Sequence, residues 1–123
     1  MPRDFELIRK LLMFFHDKLD PSYVEVPDLG AEYSEVQIKY HLGLLYQAGF
    51  LNCETVRSTT SDRVIGVLPF DLTWDGHEFL AKIRSEGVWQ KIQAVLTSKG
   101  GTLAFAVINE IASKYALQAA GMK

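Results

Sequence analysis

Ile38-Lys39-Tyr40-His41-Leu42-Gly43-Leu44-Leu45-Tyr46-Gln47-Ala48-Gly49-Phe50-Leu51 is the stretch on which the fold turns. Ile38, His41, Leu42 and Leu45 recur at the spacing of one side of a helix. Ser34 stands where an N-cap belongs, and Glu35 sets a carboxylate against the positive end of the dipole. Gly49 suits the left-handed position that closes a helix. The spacing predicts a helix over 34–48 that runs straight into a strand at Phe50-Leu51.

Outward from this segment the punctuation is regular. Two β-rich runs, 50–57 and 63–72, flank the polar turn Ser58-Thr59-Thr60-Ser61-Asp62 and read as a hairpin, with Pro69 at a bulge or edge. Thr73 reads as the N-cap of a further helix buried through Phe79, Leu80 and Ile83. Asp71 and Asp75 lie beside its start, where carboxylates favour the dipole. Upstream, Phe5, Ile8, Leu11, Leu12, Phe15 and Leu19 mark an amphipathic helix over 3–18, ended by Asp20-Pro21. Tyr23-Val24-Glu25-Val26-Pro27 alternates and predicts one short strand, while 29–33 is short for a helix. Downstream, Gly87 interrupts the pattern before a helix over 88–97, Lys99-Gly100-Gly101 breaks the chain, and a last helix spans 102–119. The fold class is mainly α with a small β-hairpin.

Three patterns carry a resemblance. The opening stretch, with its Leu-x-x-Ala-Gly ending and apolar pair, resembles the recognition helix and first wing strand of bacterial winged-helix proteins. Leu72-Thr73-Trp74-Asp75-Gly76 resembles the Leu-Thr-x-x-Gly segment that follows the wing there. The whole chain resembles the DUF2513 family of short prophage-associated proteins, in its opening Arg3-Asp4-Phe5-Glu6-Leu7-Ile8-Arg9-Lys10, its Tyr-His-Leu at 40–42 and its Val-Trp at 88–89. The resemblance implies a winged helix-turn-helix domain over 1–86, a C-terminal helical extension over 87–123 and a phage, prophage or bacterial source. It brings no established activity with it.

Composition narrows the partners. The chain has 123 residues, 48% of them hydrophobic and 23% charged, enough for one domain. Its net charge of −2 provides no overall field for nucleic acid. The single cysteine, Cys53, excludes an intrachain disulfide and fits a reducing, cytoplasmic setting. Neither a secretory leader nor an apolar run long enough to span a membrane is legible.

No catalytic constellation stands out. His16, His41 and His77 lack ligand spacing, and Cys53 reads as a small inward hydrophobe in a strand. Phosphate loops, nucleophile elbows and dinucleotide fingerprints are missing, so the expectation is a protein that is not an enzyme, with no metal and no cofactor. The surface of the 34–48 helix plus the hairpin remains. With Ile38, His41, Leu42 and Leu45 inward, Gln37, Lys39, Tyr40 and Gly43 turn outward. Gln and Lys can read base edges, Tyr can bond phosphate, and Arg57 and Arg63 sit at the base of the wing. These six residues are the candidate DNA site. Over 34–63, however, Lys39, Arg57 and Arg63 are matched by Glu35, Glu54 and Asp62.

Two readings therefore stand: a DNA-binding transcriptional regulator of phage or prophage origin, or a protein–protein adaptor that keeps the fold without binding DNA. The near-neutral surface favours the second; Arg57, Arg63, Gln37, Lys39 and Tyr40 and the commonest use of the fold favour the first, which is the expectation, with double-stranded DNA as its partner. The last helix carries only Glu110 and Lys114 as charges and is apolar around most of its circumference. That predicts a homodimer through the C-terminal helices, with Trp89, Leu103, Phe105 and Ile108 at the interface.

Overall fold

The computed structural model describes residues 1–100 and 103–121. Its elements run α1 (Phe5–Asp17), a 3-10 turn (Gly30–Glu32), α2 (Glu35–Gln47), β1 (Leu51–Arg57), β2 (Val64–Leu72), α3 (Trp74–Ile83), α4 (Glu86–Ser98) and α5 (Phe105–Ala119). The fold is mainly α with one antiparallel hairpin, as the sequence predicts. The chain divides into two compact units, Met1–His77 and Glu78–Lys123. They meet inside α3, whereas the division read from the sequence, 86/87, falls in the first turn of α4. A helix that runs across both units leaves no break in composition to mark the boundary.

In the first unit, local chemistry sets each element end. Asp4 caps α1 by accepting from the N–H groups of Glu6 and Leu7. Ser34 and Gln37 form a reciprocal capping box at the start of α2. Gly49, at φ +81°, closes α2, and Phe50 N–H donates back to Leu45. Thr73 caps α3 through its hydroxyl, which accepts from Gly76 N–H at 3.0 Å. The core gathers Leu7, Leu11 and Leu12 of α1, Leu42 and Leu45 of α2, and Leu51 and Leu72 of the hairpin, all buried. Each such side chain contributes on the order of 2 kcal/mol through the area it removes from water.

Several expectations change. The first helix begins at Phe5 and ends at Asp17, because Asp4 is a cap and Lys18 turns back to donate to the carbonyls of Ser22 and Phe70. Leu19, read as part of the apolar stripe, lies beyond the helix and is fully exposed. The predicted strand over 23–27 is not a strand. One bond forms, from Val24 N–H to Pro69 O at 3.0 Å. An antiparallel partner would return a bond from the N–H of residue 69, and proline has none. The bulge expected near Pro69 is present: Asn52 pairs with Asp71 and Cys53 with Pro69, leaving Phe70 as the extra residue. Asp71 serves the hairpin rather than the helix, accepting from Asn52 Nδ2 across the strands at 3.0 Å.

In the second unit, α4 includes Gly87, which sits in its first turn and does not break it. Val88, Trp89, Ile92 and Leu96 of α4 and Ile108 and Ala112 of α5 are buried. The Phe79 and Phe105 rings meet at 5.0 Å, and Lys82 donates to Asn109 Oδ1 at 2.9 Å. Among the described residues the last helix starts at Phe105; the expected start at residue 102 lies outside them.

Candidate functional site

The inward side of α2 is fully committed. His41 is 1% exposed and bonded at both ring nitrogens. Nδ1 lies 2.8 Å from the carbonyl of Gln37, and Nε2 accepts from the N–H of Asp4 at 2.9 Å. This assigns the neutral ring with its proton on Nδ1, and it ties the cap of α1 to the interior of α2. The sequence suggests packing for His41; its polar role is missed because Asp4 is remote in sequence.

The outward side faces the hairpin across an open groove. Two adjoining hollows of about 370 and 530 Å³ share Lys39, Tyr40, Ile65, Gly66 and Val67, so they form one continuous depression with room for several side chains. Gly43, Leu44 and Tyr46 line the helix side of the larger hollow; Val56 and Leu68 line the smaller. Exposed apolar groups concentrate here: Tyr40, Tyr46, Val56, Val64 and Ile65 are all at least a third exposed, with Ile65 at 60%. Gly43 has nothing within 4 Å of where a Cβ would stand.

The structure brings Lys39, Tyr40, Gly43 and Arg63 of the predicted site to this groove. Gln37 does not line the groove, and its Oε1 accepts from Ser34 N–H at 2.9 Å in the capping box. Arg57 is turned into the hairpin end and donates to the carbonyl of Asp62 at 2.7 Å. Lys39 is held by its own surroundings. Its ammonium lies 3.1 Å from Glu35 and 3.8 Å from Glu25. The hydrogen bond to Glu35 raises its pKa above the ordinary lysine value, with the charges of Glu35 and Glu25 adding to it. A phosphate approaching Lys39 therefore meets two carboxylates as well. Missed by sequence reasoning were Glu25, Leu44, Val56 and the run Val64–Val67; the legible sign was Val64-Ile65, adjacent apolar residues in a strand with no opposite face to cover both.

The Cys53 thiol is pushed up to about 11 by burial and stays protonated. His16 and His77 lie near each other, with ring centroids 6.0 Å apart. Among the described residues no group of three His, Cys, Asp or Glu side chains is placed to hold a metal ion, and no helix is long and apolar enough to cross a membrane.

The predicted interface residues divide. Trp89 and Ile108 are buried, at 2% and 1% exposure, and offer no surface to a second copy. Leu103 and Phe105 are half-buried. The exposed large apolar residues of α5 are Val107 and Leu117. One face of α5 packs inward through Ile108 and Ala112, while Ala106, Val107, Leu117 and Ala119 stay exposed.

A mainly α chain with one small hairpin and an apolar groove is the class this geometry defines. Residues 2–102 match the family described as Hypothetical protein (DUF2513), and the chain belongs to that family. A relative from Haemophilus influenzae, strain Rd, described as an uncharacterized protein, is 30% identical over 112 residues, covering 91% of this chain and 92% of its own. No solved structure matches.

Proposed function

We propose that this chain is a non-catalytic protein-interaction module with a winged-helix arrangement, and that the groove between α2 and the hairpin receives a segment of another protein. The order of helix, short turn, helix and hairpin supports the arrangement. The observation that carries the function is the character of the groove: Tyr40, Leu44, Tyr46, Val56 and Ile65 line it, while its lysine is neutralised by Glu35 and Glu25. DNA affinity grows with the phosphates a protein can neutralise. Arg57 and Arg63 add few such increments, and the Oε1 of Gln37 is taken up by the capping box. Exposed apolar patches mark association sites.

Gly43 supports the same reading. A glycine inside a helix costs about 1 kcal/mol relative to alanine. Among the described residues no neighbour requires it, whereas a ligand that passes close to α2 would.

A photocrosslinking residue in place of Tyr46, compared with one in place of Gln90 on α4, tests this in the native host. The reading predicts cross-links to protein from position 46 and none from position 90. Cross-links to nucleic acid, or low-salt binding of host DNA that Arg63→Ala weakens, would overturn it in favour of a transcriptional regulator.

A further inference from the structure

Resting on that reading of the groove, we infer that its occupant is an extended segment of a partner protein that adds a strand to the outer edge of β2 at residues 65–67. The placement follows from the hairpin register. Pro69 directs its carbonyl away from β1, since that oxygen accepts from Val24 N–H. The pairing runs without irregularity from Cys53↔Pro69 to Val56↔Gly66. N–H and C=O of one strand residue point the same way, and alternate residues share a side. Val67, two residues before Pro69, therefore presents both its N–H and its C=O outward. Neither has a partner among the described residues.

The same edge is used differently along its length. Around Pro69 and Phe70 it is covered by the chain's own 22–26 segment, through Val24, and by Lys18, which donates to the Phe70 carbonyl at 2.6 Å. Glu25, the next residue, lines the smaller hollow. Residues 63–67 line the larger hollow consecutively, as a strand's edge does, while Val56 of β1 and Leu68 bring the hairpin's face to the smaller one. Such edges are templates for pairing and are normally blocked by charge, proline, bulges or cover. Here a second bulge, with Ile65 as the extra residue, ends the regular edge, and the stretch left open is Gly66–Leu68, with Val67 presenting its pair outward.

Charge defines the occupant further. Arg63 is exposed at the hairpin end of the groove and makes no ion pair among the described residues. The other groove cation, Lys39, is already shared between two carboxylates. The segment is therefore alternating in character, with apolar side chains against Tyr40 and Leu44, and a carboxylate where it passes Arg63. Main-chain bonds to Val67 supply affinity, and the pockets supply selectivity.

The test uses short linear peptides selected by display on the full chain. A selected peptide is then resynthesised with single N-methylated amides. Strand addition predicts that methylation at every second residue weakens binding by about tenfold or more, the equivalent of one lost hydrogen bond at about 1.4 kcal/mol, while methylation between them does not. It also predicts that Val67→Pro abolishes binding where Val67→Thr keeps it, and that Arg63→Glu selects against acidic peptides. Proline at 67 leaves the β1 ladder intact, as Pro69 does. Binding that Ile65→Glu abolishes but that is indifferent to N-methylation overturns the strand and leaves the groove as a protein site. Peptides indifferent to Ile65→Glu overturn the groove itself.

Discussion

Two helices of the first unit each carry a glycine in their interior, and the two positions are opposites. At Gly76, in α3, a Cβ would stand 2.3 Å from the carbonyl oxygen of Phe50. That oxygen also accepts from Thr73 N–H, so helix start and strand start are held together with no room for one carbon. At Gly43, in α2, a Cβ meets nothing within 4 Å. At Gly76 the approaching group belongs to the same chain. At Gly43 none approaches among the described residues, and the vacant space opens into the groove.

The comparison can be broken by substitution. Gly76→Ala should be the most damaging single change, because backbone must move; we expect a loss of about 3 kcal/mol in denaturant unfolding. His41→Ala should cost about 2 kcal/mol by leaving Asp4 N–H without its acceptor and opening a small cavity. Gly43→Ala should go the other way, raising stability by up to about 1 kcal/mol while narrowing the groove. A destabilised Gly43→Ala protein would show that the glycine serves the fold after all. Lys39→Ala should change stability by no more than about 0.5 kcal/mol, since its ion pairs are exposed. A larger change would make those pairs structural rather than a local neutralisation of the groove.

Much of this architecture was legible because its signals are local. Ser34, Gly49 and Thr73 mark element ends through bonds to residues only a few positions away. The hairpin and its bulge follow from alternation and Pro69. What escaped depends on partners distant in sequence or on competition between neighbours. Val24 looks like a strand residue until Pro69 is found opposite it. Gln37 and Lys39 look free on the outward side of α2, and pattern alone does not show that Ser34, Glu35 and Glu25 engage them. Trp89 and Ile108 illustrate a third limit. Periodicity reveals how many sides of a helix are apolar, but not which sides the same chain covers. The groove needed both walls in place, since Tyr40 and Ile65 are separate signals until α2 and β2 face each other.

The most direct measurement fills the vacant space at Gly43 and asks what is lost. A photocrosslinking residue in place of Ile65 reports the groove's occupant in the native host, with and without Gly43→Leu, and thermal unfolding of both proteins is measured alongside. The account predicts a cross-linked protein partner that disappears with Gly43→Leu while the fold remains as stable as before. A cross-link that persists unchanged in the equally stable Gly43→Leu protein, or one that joins position 65 to DNA, would contradict it.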